Sequence, residues 1–116
     1  MRQLRLYHWT CEHRAPGIRK DGFVTPHMGI AWWTDLAVPG GRTRKAVGLT
    51  SNTLACDRMQ YRCEAREVTD IIRWRDYARE REQEWVKELE ASPWVKPDHW
   101  WVSLTDIPVR SVRRIA

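Results

Sequence analysis

The stretch Leu4-Arg5-Leu6-Tyr7-His8-Trp9-Thr10 decides how the chain is read, because it alternates. Leu4, Leu6 and His8 fall on one side and Arg5, Tyr7 and Trp9 on the other, the period of two that a strand imposes. Working outward, Thr10 is placed to cap a short helix over residues 12–20, with Pro16 confining the regular part to the stretch beginning near it. Asp21-Gly22 is a turn signal that ends that helix. Phe23-Val24-Thr25-Pro26 then reads as a short extended piece, and Gly29 to Thr34 as a buried strand ending at Asp35.

Downstream, residues 60–64 alternate Tyr61 and Cys63 against Gln60, Arg62 and Glu64, again as a strand does. Ile71, Trp74, Tyr77, Ala78, Arg81, Trp85 and Leu89 recur at helical spacing, which predicts one helix closed by Pro93 and Pro97. Residues 100–104 read as a strand, Ile107-Pro108 as a turn, and residues 109–115 as a final strand or edge. Short strands, a helix and further strands, without regular βαβ alternation, predict an α+β class. With 116 residues and no linker or repeat, a single domain over 1–116 is expected.

Composition narrows the partners. The net charge of +5 sits wholly in the first half: residues 1–58 carry nine Lys and Arg against four Asp and Glu, and residues 59–116 carry eleven of each. Sixteen of the twenty basic residues are Arg, the side chain better suited to bidentate phosphate or carboxylate recognition. Eight Trp against one Phe supply large buried area or stacking surfaces for flat rings. An odd three cysteines with no C-x-x-C, together with no apolar leader at the N-terminus, predict a cytoplasmic chain with reduced thiols and no membrane partner.

The opening motifs also carry a resemblance. Leu6-Tyr7-His8-Trp9-Thr10, then Ile18-x-x-Asp21-Gly22-Phe23-x-x-Pro26, then Ala31-Trp32-Trp33-Thr34 resemble the N-terminal half of the ADP-ribosyltransferase fold. That fold includes DNA- and RNA-modifying toxins and RNA 2′-phosphotransferases. Val102-x-x-Thr105-Asp106-Ile107-Pro108 looks like the last strands of those proteins. The resemblance implies a small split antiparallel β-sheet core with two helices, and NAD as a substrate. It implies that His8 holds a ribose of NAD, that the Trp9 backbone holds the nicotinamide carboxamide, and that Thr10 lines the same pocket. Trp33 would stack on the nicotinamide, with Thr34 beside it. Cleaving a C–N bond at an anomeric carbon needs such a stacked ring, a positioned ribose and a nearby carboxylate. The family's late-strand Glu has no counterpart in Asp98-His99-Trp100-Trp101-Val102, so Glu64, Glu67 or Asp98 would have to supply it. Phosphotransferase-type members use His and Arg instead, and Arg58 and Arg62 would then bind phosphate.

Two other classes compete. A basic loop opened by Pro39-Gly40-Gly41, with Arg42, Arg44 and Lys45, joins Arg14, Arg19 and Lys20 as a candidate phosphate-contacting face, which makes nucleic acid a candidate acceptor or partner. A small phage or mobile-element protein that binds nucleic acid or inhibits a host protein, without catalysis, also fits the Trp and Arg content. Zinc is not expected: His8, Cys11, His13, Cys56 and Cys63 lack the paired short spacings of a structural site. A Cys11 thiolate paired with His8 or His13 has no oxyanion-stabilising element beside it in the sequence.

Overall fold

A computed structural model describes residues 3–37, 48 and 60–115. The alternation of the opening stretch becomes strand β1, Tyr7–Thr10. Both of its faces are covered: Leu6, Tyr7 and Trp9 are all at most 5% exposed. A chain with apolar residues on each side of a strand needs packing on each side of the sheet, and it has it.

The first helix, α1 (Ala15–Asp21), starts later than the sequence suggests. Thr10 does not cap it; Thr10 is the last residue of β1, paired with Tyr61, and the cap position falls to Arg14, without a side-chain cap bond. The Cys11 carbonyl accepts the N–H groups of Arg14 and Ala15, so the turn after β1 is held by backbone. Gly22 ends α1 at φ 82, a left-handed conformation that costs glycine little, and its N–H donates to the Ile18 carbonyl at 2.7 Å. Strand β2 (Phe23–Val24) follows directly. A tight turn with positive φ at both Met28 and Gly29 then leads into β3 (Ala31–Thr34).

The single helix expected across residues 71–89 is instead three elements: β5 (Ile71–Arg73), α2 (Trp74–Ala78) and α3 (Gln83–Glu90), β4 (Tyr61–Ala65) having come before them. The two β-branched isoleucines pair with the later strand β6 (Trp100–Ser103) rather than joining a helix. The break between α2 and α3 is made by side chains. Glu82 accepts from the N–H groups of Glu84 and Trp85 and so nucleates a new helix, while Gln83 donates to the carbonyls of Ala78 and Arg81 and closes the old one. Helical spacing survives across the break, so periodicity alone could not reveal it.

With β7 (Ile107–Arg114) the strands form a seven-stranded antiparallel sheet in the order β2-β7-β4-β1-β3-β6-β5. The chain is thus α+β, with three α-helices among the described residues rather than two. The ladder has a narrow waist: β1 pairs with β4 at four positions, and β3 with β6 at four, but β1 meets β3 only at Tyr7–Thr34. One apolar cluster, built on Tyr7, Trp9, Trp74, Leu89 and Trp100, joins one face of the sheet to α2 and α3. A second, built on Leu6, Val24, Trp33, Cys63 and Trp101, fills the other face, where Ile18 of α1 packs against it. Among the described residues no helix is long and apolar enough to cross a membrane.

Candidate functional site

The waist of the sheet opens a cavity. Beyond Tyr7–Thr34 the two central strands share no further register pair, and the His8 side chain bridges them, its Nδ1 lying 2.8 Å from the Trp32 carbonyl oxygen. A carbonyl can only accept, so Nδ1 carries the proton and donates, which leaves Nε2 of the neutral ring as an acceptor. Burial holds the imidazole pKa below its ordinary value; the hydrogen bond to Trp32 pulls the other way, and the Arg14 charge lowers it further. His8 is therefore a neutral, orientated acceptor at neutral pH.

The cavity measures about 700 Å³, within the range of small-molecule sites. His8, Arg14 and Asp21 line it together with Trp9, Trp32, Tyr77 and Trp85. The last three rings are fixed from behind by Trp74, which is 1% exposed and whose ring centroid lies 5.0 Å from Trp32, 6.0 Å from Tyr77 and 5.7 Å from Trp85. Its own N–H donates to Glu90 Oε2 at 2.7 Å, which ties the aromatic wall to the end of α3.

Of the residues singled out from the sequence, His8 and Trp9 line this cavity. Trp33 does not: it is fully buried, donates its N–H to Ser103 Oγ at 2.9 Å, and sits behind His8 with ring centroids 5.5 Å apart. Strand alternation puts Trp32 and Trp33 on opposite faces, and the ring that faces the cavity is Trp32. Thr10 and Thr34 are buried, and Thr34 Oγ1 accepts from the Leu36 N–H at 3.1 Å, closing the end of β3. Glu64 stands outside the cavity lining, with Oε2 4.0 Å from Arg5 Nε and 3.7 Å from Arg110 Nε. Asp98 pairs with Arg75 instead. The Arg62 guanidinium stacks over Tyr7 at 4.6 Å and Trp9 at 5.8 Å. Of the basic residues on α1 and its cap, Arg14 reaches the cavity, whereas Arg19 donates to the Val112 carbonyl. Arg42, Arg44, Lys45 and Arg58, read as nucleic-acid contacts, lie outside the described residues, as does Cys56.

Asp21 is the one carboxylate among the described lining residues. Tyr77 and Trp85 were hidden in the sequence within an apolar helical stripe, and only the break at residues 79–82 turns that stripe into the cavity's far wall. Cysteine chemistry is disfavoured at Cys63, whose thiol burial pushes up to about 12, against a smaller lowering by Arg19. Cys11 lies 3.8 Å from His13 Nδ1 and is 3% exposed. No group of three or more His, Cys, Asp or Glu residues gathers in metal-binding fashion among the described residues. No family model, no curated protein and no solved structure matches this chain.

Proposed function

We propose that the cavity binds NAD and that the chain is a mono-ADP-ribosyltransferase, or a degenerate relative that keeps the dinucleotide pocket, with an ADP-ribosyltransferase-like fold divided at the β1–β3 waist. The observation that carries this reading is the parting of the two central strands at His8, where the resemblance in sequence expects the ribose and nicotinamide to lie. His8 Nε2 accepts from a ribose hydroxyl. Trp32 takes over from Trp33 as the ring against which the nicotinamide rests, and Asp21 is the carboxylate that faces the positive charge developing at the anomeric carbon. The acceptor on this reading is nucleic acid or a host protein, with Arg42, Arg44, Lys45 and Arg58 supplying charge for a polyanion.

A second reading, a binding module without catalysis, is favoured by the placement of Glu64, which two guanidinium groups hold outside the cavity. Thermal melting with millimolar NAD, followed by assay of released nicotinamide, separates the two. A ligand at one hundred times its Kd adds about 2.7 kcal/mol. At about 4 °C per kcal/mol for a domain of this size, that is a rise of about 10 °C. A shift with nicotinamide release supports the transferase, a shift without release supports the degenerate relative, and no shift removes NAD from the account.

A further inference from the structure

The face of the sheet that α2 and α3 cover is apolar toward one edge and charged toward the other. Its apolar cluster takes Tyr7 and Trp9 from β1 and Trp100 and Val102 from β6, but nothing from β4, and Ile115, just past β7, only packs against it. Helix α2 lies against β5 and β6, at the far end of the strand order. Over β4 and β7 the same face is arginine. Arg62 and Arg113 stand directly opposite each other in the β4–β7 ladder, so their side chains share a face. Two observations say which face it is: the Arg62 guanidinium lies over Tyr7 and Trp9, and Ile115, two residues past Arg113, packs with the apolar cluster. Arg5 and Arg110 join them through Glu64, whose Oε2 lies 4.0 Å from the first and 3.7 Å from the second.

Fold stability does not account for this arrangement. Like charges directly opposite on neighbouring strands are destabilising. Arg62 at least covers two rings, but Arg113 is exposed and has no carboxylate partner among the described residues. Glu64 is the one acid on β1, β4 and β7, and Arg5 and Arg110 already share it. Four guanidinium groups against one carboxylate leave the face strongly positive. The second half of the chain is neutral by sum, yet the fold separates its charges: residues 107–114 hold three Arg and no acid, whereas residues 80–90 hold five Glu against one Arg and one Lys. A membrane surface would need apolar anchors beside the charge, and none of the exposed large apolar residues, Leu4, Met28, Ile72 and Leu104, lies on β4 or β7. An acidic protein would need an apolar centre within the charged rim. A phosphate backbone needs neither, and the planar donors of Arg match its paired oxygens. Tyr7 and Trp9 beneath Arg62 are 5% and 3% exposed, so this face offers bases no stacking platform, and what it reads is the backbone. Trp9, opposite Arg62 in the β1–β4 ladder, also lines the cavity, so a strand laid across β7 and β4 arrives at the cavity rim.

We infer that the β4–β7 part of this face, carrying Arg5, Arg62, Arg110 and Arg113, is a docking surface for the phosphate backbone of a nucleic-acid strand. The inference rests on the proposed function only for the strand being an acceptor; the surface binds it whether or not the cavity takes NAD.

The test is fluorescence anisotropy of a labelled oligothymidylate between about 50 and 200 mM salt. Arg113→Glu is expected to weaken binding about tenfold at the low-salt end and to reduce the slope of log K against log salt by about 0.7, the share of one phosphate contact on a single strand. The same change sets a carboxylate opposite Arg62, so the melting temperature should hold or rise, and lost binding is then not lost folding. Glu64→Gln, which removes the one acid of the face, is expected to tighten binding about two- to fivefold. Lys87→Glu, an equal charge change on α3, should leave it within about twofold. Oligoadenylate should bind within about threefold of oligothymidylate, since the bases are not read. Should Arg113→Glu melt low, Glu64→Gln carries the test, and unchanged binding there overturns the inference. It is equally overturned if the wild type binds no oligothymidylate, if Arg113→Glu binds it as the wild type does, or if Lys87→Glu weakens it as much. Polyglutamate competing as well as unlabelled oligothymidylate would name an acidic protein instead and overturn it too. Melting with NAD reads the cavity separately. Binding that Arg113→Glu removes, in a chain that ignores NAD, upholds the surface and ends the NAD reading; a chain that takes NAD but binds oligothymidylate equally with and without Arg113→Glu ends this inference and leaves that reading intact.

Discussion

His8→Ala and His8→Asn are expected to behave differently, because the imidazole does two jobs with two nitrogens. Nδ1–H donates to the Trp32 carbonyl at 2.8 Å across the waist of the sheet, and Nε2 is left as the acceptor that the proposed function assigns to a ribose hydroxyl. Alanine removes both. Losing the bond costs about 1 kcal/mol net, and leaving the Trp32 carbonyl short of a donor adds to that, for a total of about 1–2 kcal/mol. At about 2.1 cal/mol/K of unfolding entropy per residue, this lowers the melting temperature by about 4–8 °C. Asparagine places an amide N–H near the position of Nδ1 and has nothing at the position of Nε2. It should recover stability to within about 0.5 kcal/mol of the wild type while NAD affinity falls about tenfold, as for alanine. Burial also holds the His8 pKa below 6.5, so the folded protein takes up its proton at lower pH than the unfolded chain. The sign follows: the His8 contribution is complete above pH 6.5 and is lost as pH falls from there toward the folded-state pKa. His8→Asn should flatten that part of the pH–stability curve. Melting curves from pH 5 to 8 with NAD titrations read all of this. An asparagine variant that binds NAD like the wild type, or melts as low as alanine, would refute the division of labour.

Two further outcomes test the fold around the site. Gly22→Ala puts a Cβ on a left-handed residue, and since nothing lies within 4 Å of that position the cost is conformational alone. About 1 kcal/mol, or about 4 °C, is expected by melting; no change would mean that the α1–β2 corner is not held as described. Cys63, with its thiol pushed up to about 12, should resist iodoacetamide in the native protein at pH 8 and react on unfolding, as mass spectrometry would show. Native-state alkylation at Cys63 would place it outside the core.

Much of the fold is legible from short-range pattern. The alternation of Leu6 to Trp9 and of Tyr61 to Cys63, and the Asp21-Gly22 stop, appear in the structure because each depends on residues a few positions apart. What escaped depends on competition. Thr10 is a good helix cap, but the β1–β4 pairing with Tyr61 claims it, and tertiary pairing outweighs a single cap. The apolar spacing from Ile71 to Leu89 fits one helix, yet the Glu82 and Gln83 side chains offer the backbone better local partners and split it. That split, which periodicity cannot register, brings Trp85 and Tyr77 to face Trp32. Strand parity puts Trp33 on the His8 face and Trp32 on the Trp9 face, and that Trp32 rather than Trp33 lines the cavity depends on how the strands part beyond Tyr7–Thr34, which no short-range pattern registers.

Glu64 shows how electrostatics, rather than proximity in sequence, decides a catalytic assignment. A carboxylate assists the cleavage of a C–N bond at an anomeric carbon by opposing the positive charge that develops there, and it does so only if its own charge is free to act in that direction. Glu64 is 19% exposed and lies between Arg5 and Arg110, so its surroundings carry two positive charges for its one negative. A developing cation would meet net repulsion beside it. Glu64→Gln should therefore leave NAD binding and any nicotinamide release unchanged, with a stability loss of no more than about 1 kcal/mol, as for exposed ion pairs. Asp21→Asn should lower nicotinamide release and spare binding, because Asp21 faces the cavity. If Glu64→Gln abolishes release while NAD still binds, the reacting carbon lies on the β4 side of the waist, and the chemistry assigned to the His8 cavity belongs elsewhere.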